Sequence, residues 1–343
     1  MRDIVSIKTS RGDFWVRPYR EGDESFILPA WEKAFGKKFP RELWEWKYPQ
    51  SPYGFLAVLC FSPTGDLAVY YGGQRNLIWH RGGIFQALHL ADIFTHPAYR
   101  WAIGGKRSLF CIVARIFWKT YIRNCPFEDV PSLGGEELKQ IDLVWGIPGE
   151  RHFRLGKLLV EYEPLPGGAF YAEIPGGFGP KGCLPVELIP LREELPFDAH
   201  VLWCKYRSFY CGPLKEQNFW SWRYLKHPYY QYWVLILYKR WSHHPQAFLC
   251  LKEDEKYVTV MDLLAADSLS LWDLLKVLPS FFPGKILRVW TARLSPFRKL
   301  FLAAGWQERR EPLQIVPAMR GFIEEVSFIA NNFQWMMGDA DLF

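Results

Sequence analysis

The stretch Leu90-Ala91-Asp92-Ile93-Phe94-Thr95-His96-Pro97-Ala98-Tyr99-Arg100-Trp101-Ala102-Ile103-Gly104-Gly105-Lys106 decides how this chain is read. An apolar strand runs into it, Pro97 breaks the strand pairing, a glycine-bearing turn follows and a helix begins. Successive backbone N–H groups in such a turn, together with the positive end of the helix, favour a phosphate or pyrophosphate. Gly104 and Gly105 permit positive φ and let an anion approach the backbone, and Lys106 and Arg107 add charge beside it. An ordinary strand-to-helix turn has the same outline, so the glycine pair does not identify a site alone.

Working outward, the first half alternates strand and helix signals. Phe14–Arg17 reads as a short strand, and residues 21–35 and 40–48 as helices. Three strand-like runs follow: Phe55–Phe61, Leu67–Tyr71 and Ile84–Thr95. The Pro63-Thr64-Gly65-Asp66 tetrad makes a hairpin turn between the first two. A helix over 104–121, a strand over 141–145 and a helix over 150–159 complete the half. The order implies an α/β (α+β) fold whose antiparallel neighbours lead into a βαβ-like crossover.

Residues 164–196 hold six Gly and seven Pro and read as a connector able to carry a short strand such as 169–174. Beyond it the rhythm resumes, with helices at 198–210, 215–224, 269–278 and 296–304. Strands are expected at 230–237, 247–251, 257–264, 285–291 and 306–310. Trp44-Glu45-Trp46-Lys47-Tyr48 with Pro52-Tyr53 recurs as Trp220-Ser221-Trp222-Arg223-Tyr224 with Pro228-Tyr229. Ala91-Asp92-Ile93-Phe94 is matched by Met261-Asp262-Leu263-Leu264, each pair ending a strand. The chain therefore reads as a duplication. Its domains are 1–163, a connector at 164–196, and 197–343.

The chain has 343 residues, enough for two domains with their own cores. Apolar residues make up 49% and charged residues 23%, a globular composition. The net charge of +6 is interspersed, without the clustered basic stripe of a nucleic-acid binder, and it suits an anionic nucleotide ligand. The seven cysteines form no CxxC pair, so neither a zinc site nor a disulfide framework is signalled. We expect no metal, no membrane span and a cytoplasmic protein: MRDIVSIKTS has no apolar core segment, and Arg115 and Lys119 interrupt the greasiest helix.

The run ADIFTHPAYRWAIGGKRSLF resembles the acetyl-CoA signature of the GNAT (N-acetyltransferase) superfamily. VRPYREGDESFILPAWEKAF is similar to its opening strand and first helix, and IDLVWGIPGE to its fifth strand. The resemblance covers residues 12–165 and extends more loosely to 310, so it implies two GNAT-like domains, each a mixed, largely antiparallel central sheet flanked by helices. It also implies acetyl-CoA or another acyl-CoA as co-substrate. The pantetheine arm would pair with the backbone of Phe94 and Thr95. The pyrophosphate would sit on Arg100, Trp101, Ala102, Ile103, Gly104, Gly105 and Lys106. Arg100 and Gly105 match the pattern [QR]-x-x-G-x-[GA], while Ile103 stands where the first glycine is expected.

The implied chemistry is direct attack of an amine on the thioester, with an N–H steadying the oxyanion and a base and an acid moving protons. Asp92 is the candidate base or acceptor contact. His152 stands in for the tyrosine acid that the family places after the fifth strand. The carboxylate of Phe343 is a further candidate, because some multi-domain relatives return a terminal carboxylate to the site. The acceptor is a small-molecule or peptide amine. The competing readings are a non-catalytic binding or scaffold protein and an aminoacyl-tRNA-dependent transferase.

Overall fold

The computed structural model describes residues 4–100, 107–180, 184–196, 198–242 and 244–340. They divide into two compact units, each built on its own sheet.

The first unit comprises residues 1–77, 85–164 and 317–327. Its elements are β1 (Val5–Thr9), β2 (Gly12–Pro18), α1 (Glu24–Phe35), α2 (Arg41–Lys47), β3 (Phe55–Phe61) and β4 (Leu67–His80). They continue with β5 (Gly83–Leu90), β6 (Phe94–Thr95), α3 (Leu109–Tyr121), β7 (Leu143–Gly146), α4 (Glu150–Val160) and β8 (Glu163–Pro164). β3 shows how alternation makes the layers. Val58 and Cys60 join the core beneath α3, whereas Ala57, Leu59 and Phe61 join the core beneath α1 and α2. Ser108 caps α3 by accepting from the Cys111 N–H, which fixes the helix start four residues later than Gly105 would place it.

The second unit comprises residues 78–84, 165–316 and 328–343. It contains β9 (Ala169–Pro175), β10 (Val186–Pro190), α5 (Ala199–Tyr206), β11 (Cys211–Pro213), α6 (Gln217–Trp220), β12 (Trp233–Tyr238), β13 (Pro245–Glu253) and β14 (Tyr257–Ala265). It goes on with α7 (Ser268–Val277), β15 (Ile286–Ala292), α8 (Phe297–Ala303) and β16 (Gln307–Glu308). Then come β17 (Ala318–Gly321), which counts with the first unit, and α9 (Val326–Asn332). Asp198 caps α5 through the N–H groups of His200 and Val201. Ile78–His80 at the end of β4 pair with β11.

Each sheet is mixed and largely antiparallel. The first runs β1-β2-β3-β4-β5-β7-β17-β8 and the second β10-β12-β13-β14-β15-β9-β16. Each has one parallel pair, β5 with β7 and β14 with β15. The strand beyond each parallel pair comes from a distant part of the chain. β17, from residues 318–321, lies antiparallel between β7 and β8. β9, which precedes the other strands of its sheet, lies antiparallel between β15 and β16.

The structure departs from the sequence expectations in several places. The run 84–95 is two strands rather than one, because Asp92 adopts a left-handed φ of 54° between β5 and β6. β4 is fourteen residues long, not five, since its polar second half still pairs. The helix expected over 215–224 shrinks to α6 followed by a π turn at Ser221–Leu225. β1, β8, β10, β11, β17 and α9 were not anticipated.

Candidate active site

The break at Asp92 organises the first unit's site. α2 delivers two polar side chains into an apolar layer: Lys47 Nζ lies 2.5 Å from Asp92 Oδ2, and the Tyr48 hydroxyl donates to the same oxygen at 2.8 Å. Lys47 is only 2% exposed on its side chain, so Asp92 neutralises a charge that burial would otherwise make costly. Gln74 on β4 donates to the Lys47 carbonyl at 2.7 Å and ties the end of α2 to the sheet. Burial, and then the Asp92 charge, push the Tyr48 phenol well above its ordinary pKa, so it stays a donor.

Beyond the break, Phe94 and Thr95 pair with Tyr70 and Val69 of β4. The next bond in this ladder runs from the His96 N–H to the Ala68 carbonyl. Antiparallel alternation therefore turns the N–H groups of Ile93 and Thr95 away from β4. The parallel ladder of β5 with β7 ends at His89 and Trp145, so among the described residues no strand pairs with that far edge. Arg100 bonds the carbonyls of Thr95 at 3.2 Å and Ala34 at 3.0 Å, closing the turn that follows. Tyr99 donates to Asp66 at 2.9 Å.

The expected site residues fall in different places. Asp92, Phe94, Thr95 and Arg100 lie together around this break. Trp101, Ala102, Ile103, Gly104, Gly105, Lys106 and Phe343 lie outside the described residues. His152 sits on the exposed face of α4, and desolvation, then the Arg151 charge, lower its pKa. A residue that sequence reasoning passed over is Tyr162. Its hydroxyl is buried without a hydrogen-bond partner among the described residues. A Cβ on Gly146 would stand 3.5 Å from the Leu90 carbonyl and 3.8 Å from this hydroxyl, which puts the phenol beside the end of β7. Burial holds its pKa well above the ordinary value. The sequence shows it as the first tyrosine after β7, just beyond α4, but gives it no role.

The second unit repeats the arrangement. Tyr224 donates to Asp262 Oδ2 at 3.0 Å, and Asp262 adjoins a register slip between β13 and β14. The cation differs. Arg223, which corresponds to Lys47, turns to the chain's last described residues and donates to the carbonyls of Gly338 at 2.6 Å and Ala340 at 2.7 Å. Lys215 takes its place, 2.6 Å from Asp262 and 2.9 Å from Asp339. Burial, then the opposing effects of Lys215 and Asp339, leave Asp262 raised to about 6. Burial pulls Lys215 down, but its two carboxylates more than offset this and its pKa is raised. Here β14 runs almost directly into α7, whose first turn is capped by the Asp267 carboxylate accepting from Ser270 N–H. An anion at that helix end would meet a carboxylate already in place.

Among the described residues there is no cluster that could hold a metal ion, and no helix is long and apolar enough to cross a membrane.

No family model matches the sequence, and no curated protein does. Solved structures share its fold. A protein from Enterococcus faecalis V583 described as a probable N-acyltransferase superposes with a TM-score of 0.62 at 11% identity, covering 91% of this chain and 73% of that one. A GCN5-related N-acetyltransferase from Anabaena variabilis gives 0.59 at 11% identity over 89% and 72%. The Saccharomyces cerevisiae N-myristoyltransferase, solved with myristoyl-CoA bound, gives 0.54 at 9% identity over 91% and 83%.

Proposed function

Since the chain has the fold of the GCN5-related N-acetyltransferases in two copies, we propose that it is an acyl-CoA-dependent N-acyltransferase acting on a small-molecule or peptide amine, with the donor held by the first unit alone. The observation that carries this reading is the strand break at Asp92. It leaves the Ile93 and Thr95 edge unpaired beside β7, and it is followed by a thirteen-residue passage, 96–108, to the capped start of α3. The second unit allows only two residues, Ala266 and Asp267, between β14 and α7.

In this reading the free edge of Phe94 and Thr95 takes the pantetheine amides, and the turn from Arg100 to Lys106 takes the pyrophosphate on its N–H groups. Acyl-CoA supplies an activated thioester carbonyl. An N–H from the Ile93–Thr95 edge steadies the oxygen that gains charge as the amine attacks. Asp92 already accepts from Lys47 and Tyr48 on one oxygen, so its role is to hold the break and meet the acceptor ammonium. Tyr162, buried and protonated beside Gly146, is placed to return a proton to the leaving thiolate, a task for which His152 is the alternative.

The test is thiol release from acetyl-CoA across a panel of primary amines, with a Tyr162→Phe variant alongside. Amine-dependent release, slowed on the order of 10²-fold in the variant, supports the assignment. Binding of acyl-CoA with no amine-dependent release from any acceptor would instead favour a non-catalytic binding protein, the reading that Ile103 at the first glycine position motivates.

A further inference from the structure

The second unit holds an open cavity of about 450 Å³ lined by Tyr229, Tyr230, Trp233, Lys252 and Lys285, among others. Lys252 directly follows the buried run Ala247–Leu251 on β13 and is itself half-buried. Its Nζ rests on the face of Tyr230, 3.3 Å from the ring centroid. The other enclosed lysines are all paired: Lys47 with Asp92, Lys215 with Asp262 and Asp339. Even Lys285, across the cavity, lies 3.2 Å from Glu253 and donates to the Asp254 and Glu255 carbonyls. Asp254 in turn faces Arg288 at 3.4 Å. The Lys252 ammonium makes no ion pair and no hydrogen bond among the described residues.

The electrostatics agree with that geometry. Burial pushes the Lys252 pKa down to about 8; Asp254 pulls it back up, while Arg223 and Arg288 lower it further. His227, its ring tilted against Tyr230 at 4.7 Å, has its own pKa lowered by burial to about 3 and adds no charge near neutrality. Glu253, Glu255 and Lys285 are the remaining charged groups at the cavity. An amine in this setting is a nucleophile at neutral pH, as desolvated lysines are.

We propose that Lys252 is a self-acylation site for small acyl thioesters of the acyl-CoA class. The neutral Nζ attacks the thioester carbonyl, an N–C bond forms and the C–S bond breaks. The thiolate leaves with the bonding electrons and takes up the proton shed by nitrogen, so an amide and a free thiol result. The modification removes one positive charge and lays the new amide on the Tyr230 face. The natural donor rests on the acyltransferase reading; the reactivity of the amine does not.

The experiment incubates the full chain with limiting acetyl-CoA or with S-acetyl-N-acetylcysteamine, which carries no nucleotide, and quantifies acetylation of every lysine by peptide mass spectrometry between pH 6.5 and 10. The expected result is Lys252 acetylated on the order of tenfold faster than Lys226 or Lys239 at neutral pH, since a depressed pKa leaves far more free amine. Its rate should level off above pH 8 to 9 while theirs still climb. A Tyr230→Leu variant serves as a folded control for the ring contact and should lose part of the preference. Lys252 reacting no faster than those surface lysines with either thioester overturns the proposal. Selective reaction with the nucleotide-free thioester in a protein that binds no acyl-CoA would sustain it while the acyltransferase reading fails.

Discussion

The hydroxyl of Tyr48 donates to the carboxylate of Asp92 at 2.8 Å, and the same bond recurs between Tyr224 and Asp262 at 3.0 Å. In the first unit the aspartate sits at the left-handed break after β5, and in the second it sits beside the register slip in β14. The bond pins a strand irregularity to the helical segment that carries the Trp-x-Trp motif. A buried phenol and carboxylate repeated at corresponding places is a frame element, retained in the unit that lacks the turn for a nucleotide.

Asp92→Ala should destabilise the protein strongly, because it removes the carboxylate that neutralises the buried Lys47 ammonium. Breaking such a pair costs about 3–5 kcal/mol. Tyr48→Phe should cost about 1–2 kcal/mol by removing one bond to a charged group. Urea unfolding of the two single variants and the double variant would show coupling between them; strict additivity would mean that the bonds do not act together.

Asp262 gives a pH signature of defined sign. Its folded pKa, about 6, exceeds the unfolded value of about 4, so the native state binds the extra proton. Its contribution to stability should therefore be greatest in acid and fall as pH rises from about 4 to about 6. Denaturant titrations of Asp262→Asn across that window should lack this fall. A wild-type stability that instead rises faster than the variant's over the same window would contradict the assigned shift.

Gly73 should not tolerate a side chain. A Cβ there would lie 2.3 Å from the His89 carbonyl oxygen, inside the β4–β5 pairing that leads to the break. Gly73→Ala should cost about 1–3 kcal/mol through forced separation of the strands. Its effect on acyl-CoA affinity should exceed that of Gly22→Ala, where nothing stands within 4 Å and the strain is only that of a positive φ. Thermal unfolding and ligand titration of both variants check this.

The strand order predicts how fragments behave. β17 fills the place between β7 and β8, so a fragment ending at Pro164 lacks an internal strand of its sheet. It should be poorly folded by circular dichroism and hydrogen exchange, and adding a peptide spanning 317–327 should restore protection in β7. A cooperative, fully protected fragment without the peptide would contradict this.

The legible part of the molecule was the part with local signal. β3 was readable over its full length because each neighbour pair alternates between two apolar layers, and the repeated Trp, Lys/Arg and Tyr spacing announced the duplication. β17 was not readable: Ala318-Met319-Arg320-Gly321 has no period, and its partners lie more than 150 residues away. Asp92 was noticed as a residue but not as a break, since left-handed backbone is set by Lys47 and Tyr48 reaching in from α2. Lys215 and Asp339 were missed because each is a lone polar residue whose meaning appears only when segments 124 positions apart meet in the second unit's core.

The central claim is that the first unit binds acyl-CoA at the turn after Thr95. Calorimetric titration with acetyl-CoA and free CoA, on the wild type and on a variant with Gly104 and Gly105 replaced by bulky residues, tests it most directly. The account predicts saturable one-to-one binding by the wild type that is lost in a variant whose unfolding curve is unchanged. Absence of binding by the folded wild type, or equal binding by the variant, would contradict it.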